Sequence, residues 1–251
     1  MNFEKTIILC RPETSANIGA VCRVMANTGF SDLRITGTKE DYDETEVLKL
    51  ALHASHVWKN ARFYPPTIEG LKEAASDCSV LIGTSRRTGH KRKDLGMSPE
   101  DLCLDLKKFY GGRLGLVFGN ERTGLIDEEL NICSFSVNIP AEEDFGSYNL
   151  SHAVLILCYS LYIAEKNNPL TEKDNPSIEK NIYLQKASMK MIQENSEQIC
   201  NYLSGLGLFK KGGKKTNETF FIELLSSAGA SEFDIMHLTE IFKKLFFMYS
   251  C

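Results

Sequence analysis

The stretch LGLVFGNERTGL, Leu114 to Leu125, decides the fold. Its first half, Leu114 to Phe118, is a short continuous apolar run, the pattern of a strand buried on both faces of a parallel sheet. Its second half turns abruptly polar and glycine-rich, with Gly119, Glu121 and Gly124 directly after the strand. Glycines there permit a tight turn with backbone N–H groups facing inward, as ligand sites at strand ends require. No Lys-Ser or Lys-Thr follows Gly124, so this is no P-loop, and the G-x-G-x-x-G of dinucleotide folds is missing. An ordinary left-handed turn would carry the same residues.

Working outward, similar runs recur at Thr6 to Cys10, Leu33 to Thr36, Cys78 to Gly83 and Phe135 to Ile139, separated by helical periodicity. Asn17 to Thr28 sets Ile18, Val21, Cys22 and Met25 on one face. It opens on a capping-type Asn17 and stops at Gly29. Strand alternating with helix gives an α/β chain with a parallel sheet. The stretch 167–177, with Pro169 and Pro176, breaks both periodicities and reads as a linker between residues 1–166 and an all-helical part, 178–251. In that part Ile178 to Leu203 and Thr219 to Ala228 are helical, and Ser231 with Asp234 forms a capping-box pattern before Ile235 to Phe247.

The chain has 251 residues, 43% hydrophobic and 25% charged, which suffices for a packed core and excludes disorder throughout. A formal net charge of -4 means that any nucleic-acid contact must come from local patches. No apolar run is long enough to cross a membrane or act as a leader, so a cytoplasmic location is expected. The eight cysteines stand singly, without a C-x-x-C pair, and read as reduced and mostly buried. His53 and His56 have no further ligand cluster beside them, so no metal is expected.

Two more segments end strand-like runs. NIGAVCR, Asn17 to Arg23, sets Gly19, Ala20, Arg23 and Asn27 on the face opposite the apolar stripe. Small residues around one arginine admit a phosphate or a second backbone, although a solvated arginine on an amphipathic helix reads the same way. The other segment runs from Ile139 and Pro140 through Gly146 to Ser147, Tyr148, Asn149 and Leu150, where a helix begins. Ser-x-Asn entering a helix is also the pattern of a plain N-cap.

Taken in order, the three segments resemble the SPOUT superfamily of RNA methyltransferases, in particular its TrmH and TrmJ branch of tRNA 2′-O-methyltransferases. The likeness runs from Lys5 to about Lys166 as N-x-G-A-x-x-R, F-G-x-E-x-x-G-L and I-P…S-x-N-L-S-x-A. Tyr148 departs from the pattern, which has a smaller apolar residue there. YLSGLGLF, Tyr202 to Phe209, is similar to the helical extension of the TrmJ subgroup.

The resemblance implies a sheet whose C-terminal part is tied in a trefoil knot, an exception to the usual absence of knots. It implies that groups at Thr84, Ser85, Arg86, Gly119, Ile139, Ser147, Tyr148 and Asn149 hold S-adenosyl-L-methionine. It also implies a homodimer in which each site is completed by the neighbouring subunit. The expected substrate is tRNA, with cytidine or uridine at the first anticodon-loop nucleotide methylated on its ribose 2′-oxygen. Another tRNA position or ribosomal RNA is the alternative.

In this chemistry the sulfonium already carries the electrophilic activation, so the protein mainly positions the hydroxyl and assists its deprotonation. An arginine is a poor base, so Arg23 is expected to fix the phosphate beside the target ribose. Glu121 would orient that arginine, Asn17 would brace the RNA or the loop, and Ser147 and Asn149 would order the knot and the cofactor. Arg86, Arg87, Lys91, Arg92 and Lys93 follow the cofactor strand directly and form an expected phosphate track. Lys210, Lys211, Lys214 and Lys215 form a second basic cluster. The competing classes are a knotted RNA-binding protein without catalysis and a nucleotide-dependent oxidoreductase; the missing dinucleotide fingerprint disfavours the latter.

Overall fold

The computed structural model describes residues 4–85, 97–106, 112–142, 144, 146–167, 186–209 and 213–249. Six strands form one sheet: β1 (Glu4–Cys10), β2 (Asp32–Thr36), β3 (Arg62–Tyr64), β4 (Val80–Thr84), β5 (Arg113–Phe118) and β6 (Phe135–Val137). Their order is β3-β2-β1-β5-β4-β6, and every pairing is parallel. The five apolar runs are all strands. The sixth, β3, lies at the sheet edge; with three partly exposed or exposed residues it has no apolar run to betray it.

Helices cover both faces, as a parallel sheet requires. The alternation within β1 shows how: Ile7 and Leu9 face one layer, Ile8 and Cys10 the other. The first layer holds α1 (Ser15–Thr28), α2 (Glu44–Ala51), α3 (Ser55–Lys59), α5 (Pro99–Leu106) and α7 (Leu150–Asn167). The second holds α4 (Ile68–Ala74), α6 (Asp127–Leu130), α8 (Met189–Gly205), α9 (Gly213–Ser227) and α10 (Glu232–Tyr249). The last three helices thus share a buried cluster with the sheet: Met189, Ile192, Leu225 and Ile235 pack with Leu81, Cys78, Leu130 and Cys133. Ser231 and Asp234 form the expected box ahead of α10, Ser231 N donating at 3.0 Å and Asp234 N returning at 3.2 Å.

Helix α1 differs in detail from the sequence reading. It begins at Ser15 with Thr14 as N-cap, so Asn17 lies inside the first turn rather than capping it. Gly29 ends it in the left-handed region, φ 77°, as expected. Gly19 does not share the open face with Arg23 and Asn27. It is buried under α2, where a Cβ would come within 2.3 Å of the Val47 carbonyl oxygen, so only glycine allows the two helices to approach so closely.

A network of charges closes the N-terminal edge of the sheet. Arg34, 1% exposed, is held by Asp32 and Asp77; Arg113 bonds Asp32, Asp77 and Glu4, and Arg62 adds a third cation to Asp32. Burial pushes the Asp32 carboxyl up, but bonds from Arg34, Thr6 and Arg62 outweigh it and hold it down at about 2. Paired in this way, a buried arginine is tolerated; unpaired it would not be.

Candidate active site

Parallel strands place all their C-terminal ends on one edge, and there a cleft of about 280 Å³ opens beyond β4, β5 and β6. Its floor is apolar, formed by Phe118, Leu125, Val137, Ile139, Leu150 and Ala153. Its rim is polar, formed by Thr84, Ser85, Asn120, Glu121 and Ser147, with Tyr148 closing one side. The Tyr148 hydroxyl donates to the Pro140 carbonyl at 3.0 Å and ties the third segment to itself. An apolar floor with a few placed polar groups fits a nucleoside-like ligand.

The loop after β5 is shaped by its glycines. Gly124 adopts φ 67°, and a Cβ on Gly119 would lie 2.0 Å from the Gly124 carbonyl carbon. The loop folds back on itself through Gly124 N to Asn120 O at 2.8 Å, while Asn120 Oδ1 accepts from Arg122 N at 2.9 Å. Arg122, the basic side chain among the lining residues, is engaged by Glu13 at 2.8 Å, which leaves the cleft without a free cation among those residues.

One chain of hydrogen bonds joins the three segments. Glu121 Oε2 accepts from Glu13 N at 2.8 Å, and its Oε1 from Thr14 N at 3.1 Å and Asn17 Nδ2 at 2.8 Å. Asn17 Oδ1 in turn accepts from Asn149 Nδ2 at 2.9 Å, and Asn149 Oδ1 accepts from Ser151 N and Oγ at 2.9 and 2.8 Å, capping α7. A carboxylate delivered by the β5 loop therefore secures the entry to α1, where the positive end of the helix dipole favours it.

Of the sequence-derived residues, Thr84, Ser85, Gly119, Glu121, Ile139, Ser147 and Tyr148 line the cleft, and Asn17 and Asn149 adjoin it through Glu121. Glu121 does not pair with Arg23 of the same chain: its carboxylate is spent on the start of α1. Arg23 is exposed on α1 outside the cleft lining and has no bonded partner among the described residues. Arg86, Arg87, Lys91, Arg92 and Lys93, with Lys210 and Lys211, lie outside the described residues. Sequence reasoning missed Asn120, Arg122 and Glu13, whose roles depend on partners distant in the chain.

The SpoU rRNA Methylase family matches residues 4–159, from the first strand to the middle of α7. The chain belongs to that family. It is 32% identical over 211 residues to the tRNA (cytidine-2'-O-)-methyltransferase TrmJ of Methanocaldococcus jannaschii, covering 79% of this chain and 88% of the relative. An uncharacterized tRNA/rRNA methyltransferase of Haemophilus influenzae is 35% identical over 184 residues, 70% of this chain and 73% of its own length. Among solved structures, TrmJ from Z. mobilis ZM4 superposes with a TM-score of 0.73 at 24% identity, over 96% of this chain and 98% of that one, which shows the shared fold including the helical extension. A probable methylase family protein from Haemophilus influenzae Rd KW20 gives 0.60 at 27% identity, over 97% and 96%. This SpoU chain is an RNA methyltransferase with a TrmJ-like extension, and no helix among its described residues is long and apolar enough to cross a membrane.

Proposed function

We propose that the chain moves a methyl group from S-adenosylmethionine to a ribose 2′-oxygen of tRNA, at cytidine or uridine in the first anticodon-loop position. The observation that carries this reading is the relay Glu121–Asn17–Asn149, which gathers three separate segments around one cleft. The relatives' names support tRNA as acceptor, and the family's description keeps ribosomal RNA as the second reading.

The donor supplies an activated methyl on its sulfonium; the residues supply place and order. Thr84, Ser85, Gly119 and Ile139 would hold the adenosine part, the last through the apolar floor, and Ser147 to Asn149 would hold the amino-acid part, with Arg86 adjoining. Tying of the last segment in a knot would add rigidity beside the parallel bridge that Met97 makes to Val137 at the end of β6.

The active assembly is a homodimer in this reading. Arg23 lies six residues beyond Asn17, about 9 Å along α1, and not in its own cleft. A neighbour's cleft is where its guanidinium would meet the acceptor phosphate, with Arg86, Arg87, Lys91, Arg92 and Lys93 extending the track. Leu155 and Tyr159, 42% and 55% exposed on α7 beside α1, support an apolar contact there. The test is Arg23→Ala: methyl transfer to tRNA is lost while calorimetric binding of S-adenosylmethionine is retained. Full activity in that variant would end the assignment, and ribose-methylation mapping in cells lacking the gene separates tRNA from ribosomal RNA.

A further inference from the structure

We infer that Arg11, outside all three motif segments, is a positioning residue that sets the cleft wall through a half-buried fork to Glu129. The inference rests on reading the cleft as the donor site. Arg11 leaves β1 with φ 52°, a left-handed conformation unusual for a side-chain-bearing residue, and it precedes Pro12, which restricts it further. Such a backbone persists only where its surroundings over-determine it, and residues held so concentrate at functional sites.

Four anchors hold Arg11. Its N–H donates to Thr36 O at 3.0 Å and Thr36 Oγ1 at 3.2 Å, at the end of β2. Its carbonyl accepts from Asn120 Nδ2 at 2.8 Å, in the loop that walls the cleft. Its guanidinium bonds Glu129 in a fork, Nε to Oε1 at 2.9 Å and Nη2 to Oε2 at 2.8 Å. Glu129, 5% exposed on α6, also accepts from Ile126 N at 2.9 Å. Ile126 directly follows Leu125, which lines the cleft floor.

The consequence is geometric. The β5 loop is pinned at both ends by one residue: at Asn120 through the Arg11 backbone, and at Ile126 through the Arg11 side chain and Glu129. Glu121 to Leu125, the wall between those pins, then has a fixed distance to β1. A fork requires two parallel N–H groups on a plane, which lysine lacks. Without it the buried carboxylate has lost its counter-charge, and the end of the loop that carries Leu125 is released. Loss of the Arg11 side chain frees only the Leu125 end, because the Glu121 end stays held through Asn120 and the start of α1, so donor binding is affected and the RNA-facing helix is not.

The test compares wild type, Arg11→Gln, Arg11→Lys and Glu129→Gln as full chains, using calorimetry with S-adenosylmethionine, filter binding with a tRNA transcript and steady-state methyl transfer. Arg11→Gln is expected to raise the donor Kd and KM about tenfold. The tRNA Kd and kcat at saturating donor stay within about twofold, Arg11→Lys falls between, and Glu129→Gln matches Arg11→Gln. The double variant, Arg11→Gln with Glu129→Gln, is no worse than either single one, as members of one interaction are non-additive. A purely structural role would lower the melting temperature and the number of competent sites while leaving the donor Kd of those sites unchanged, and that result overturns the inference. Wild type that binds no donor overturns the reading of the cleft together with the inference; normal wild-type binding with an unaltered Arg11→Gln overturns the inference alone.

Discussion

Glu121 and Asn17, 104 residues apart in the chain, meet through a 2.8 Å hydrogen bond from Asn17 Nδ2 to Glu121 Oε1. That bond makes the position of α1 depend on the loop after β5. Because Asn17 also accepts from Asn149, the helix carrying Arg23 is referred to both polar segments of the cleft.

Asn17→Ala removes the centre of this relay: Asn149 Nδ2 loses its acceptor, and Glu121 keeps only Glu13 N and Thr14 N. Stability should fall by about 1 kcal/mol. Turnover should fall further, about 100-fold, because a displacement of about 1 Å at a reacting group costs that much. Asn17→Asp, which sets a second carboxylate against Glu121, should be worse than alanine. Single-turnover methyl transfer beside denaturant melts measures both; activity within twofold of wild type would detach the relay from catalysis.

Gly119→Ala tests the folded-back loop. With its Cβ 2.0 Å from Gly124 C, the loop must open, since the atom in the way is backbone. Donor affinity should drop at least about tenfold, seen by calorimetry. The β5 strand should keep its amide protection, because Phe118 is anchored in the sheet by its own neighbours.

The charge network at the far edge of the sheet predicts a pH dependence. The Asp32 carboxyl, at about 2 when folded against 3.8 ordinarily, binds protons more weakly in the native state. Its contribution is therefore complete above pH about 4 and is lost as pH falls from there toward 2. Asp32→Asn should cost about 1–3 kcal/mol at pH 6. Melts at pH 6, 4 and 2.5 should show the gap to wild type closing with acid; a constant gap would remove Asp32 from the acid response.

Burial pushes the thiols of Cys22, Cys78 and Cys158 up to about 12. At pH 8 they should resist alkylation in the native chain and react fully in denaturant, as peptide mass spectrometry would record. Rapid native labelling of any of the three would show that its layer opens.

The sheet was readable because five of its strands are unbroken apolar runs, a signal contained in each segment. Arg62–Tyr64 was not, since an edge strand of three residues buries too little to leave a pattern. The three glycine-marked segments could be found and ordered, but not how they join. Asn17 looked like a cap because asparagine favours caps, whereas the carboxylate at the start of α1 arrives from Glu121, beyond the reach of any local propensity. Gly19 looked like part of an open face because its partner, the Val47 carbonyl, lies on a different helix. Arg11 gave no signal at all: its φ and its fork to Glu129 exist only once β1 and α6 are adjacent.

The helices after residue 186 complete one apolar layer of the sheet, with Met189 N bonded to the Cys78 carbonyl at 2.5 Å and Ile192 beside Leu81. During synthesis, then, the strands emerge from the ribosome well before their second cover does. Until α8 to α10 follow, part of that layer stays wet and adhesive, and shortening the chain after Asn167 would leave that surface open to aggregation.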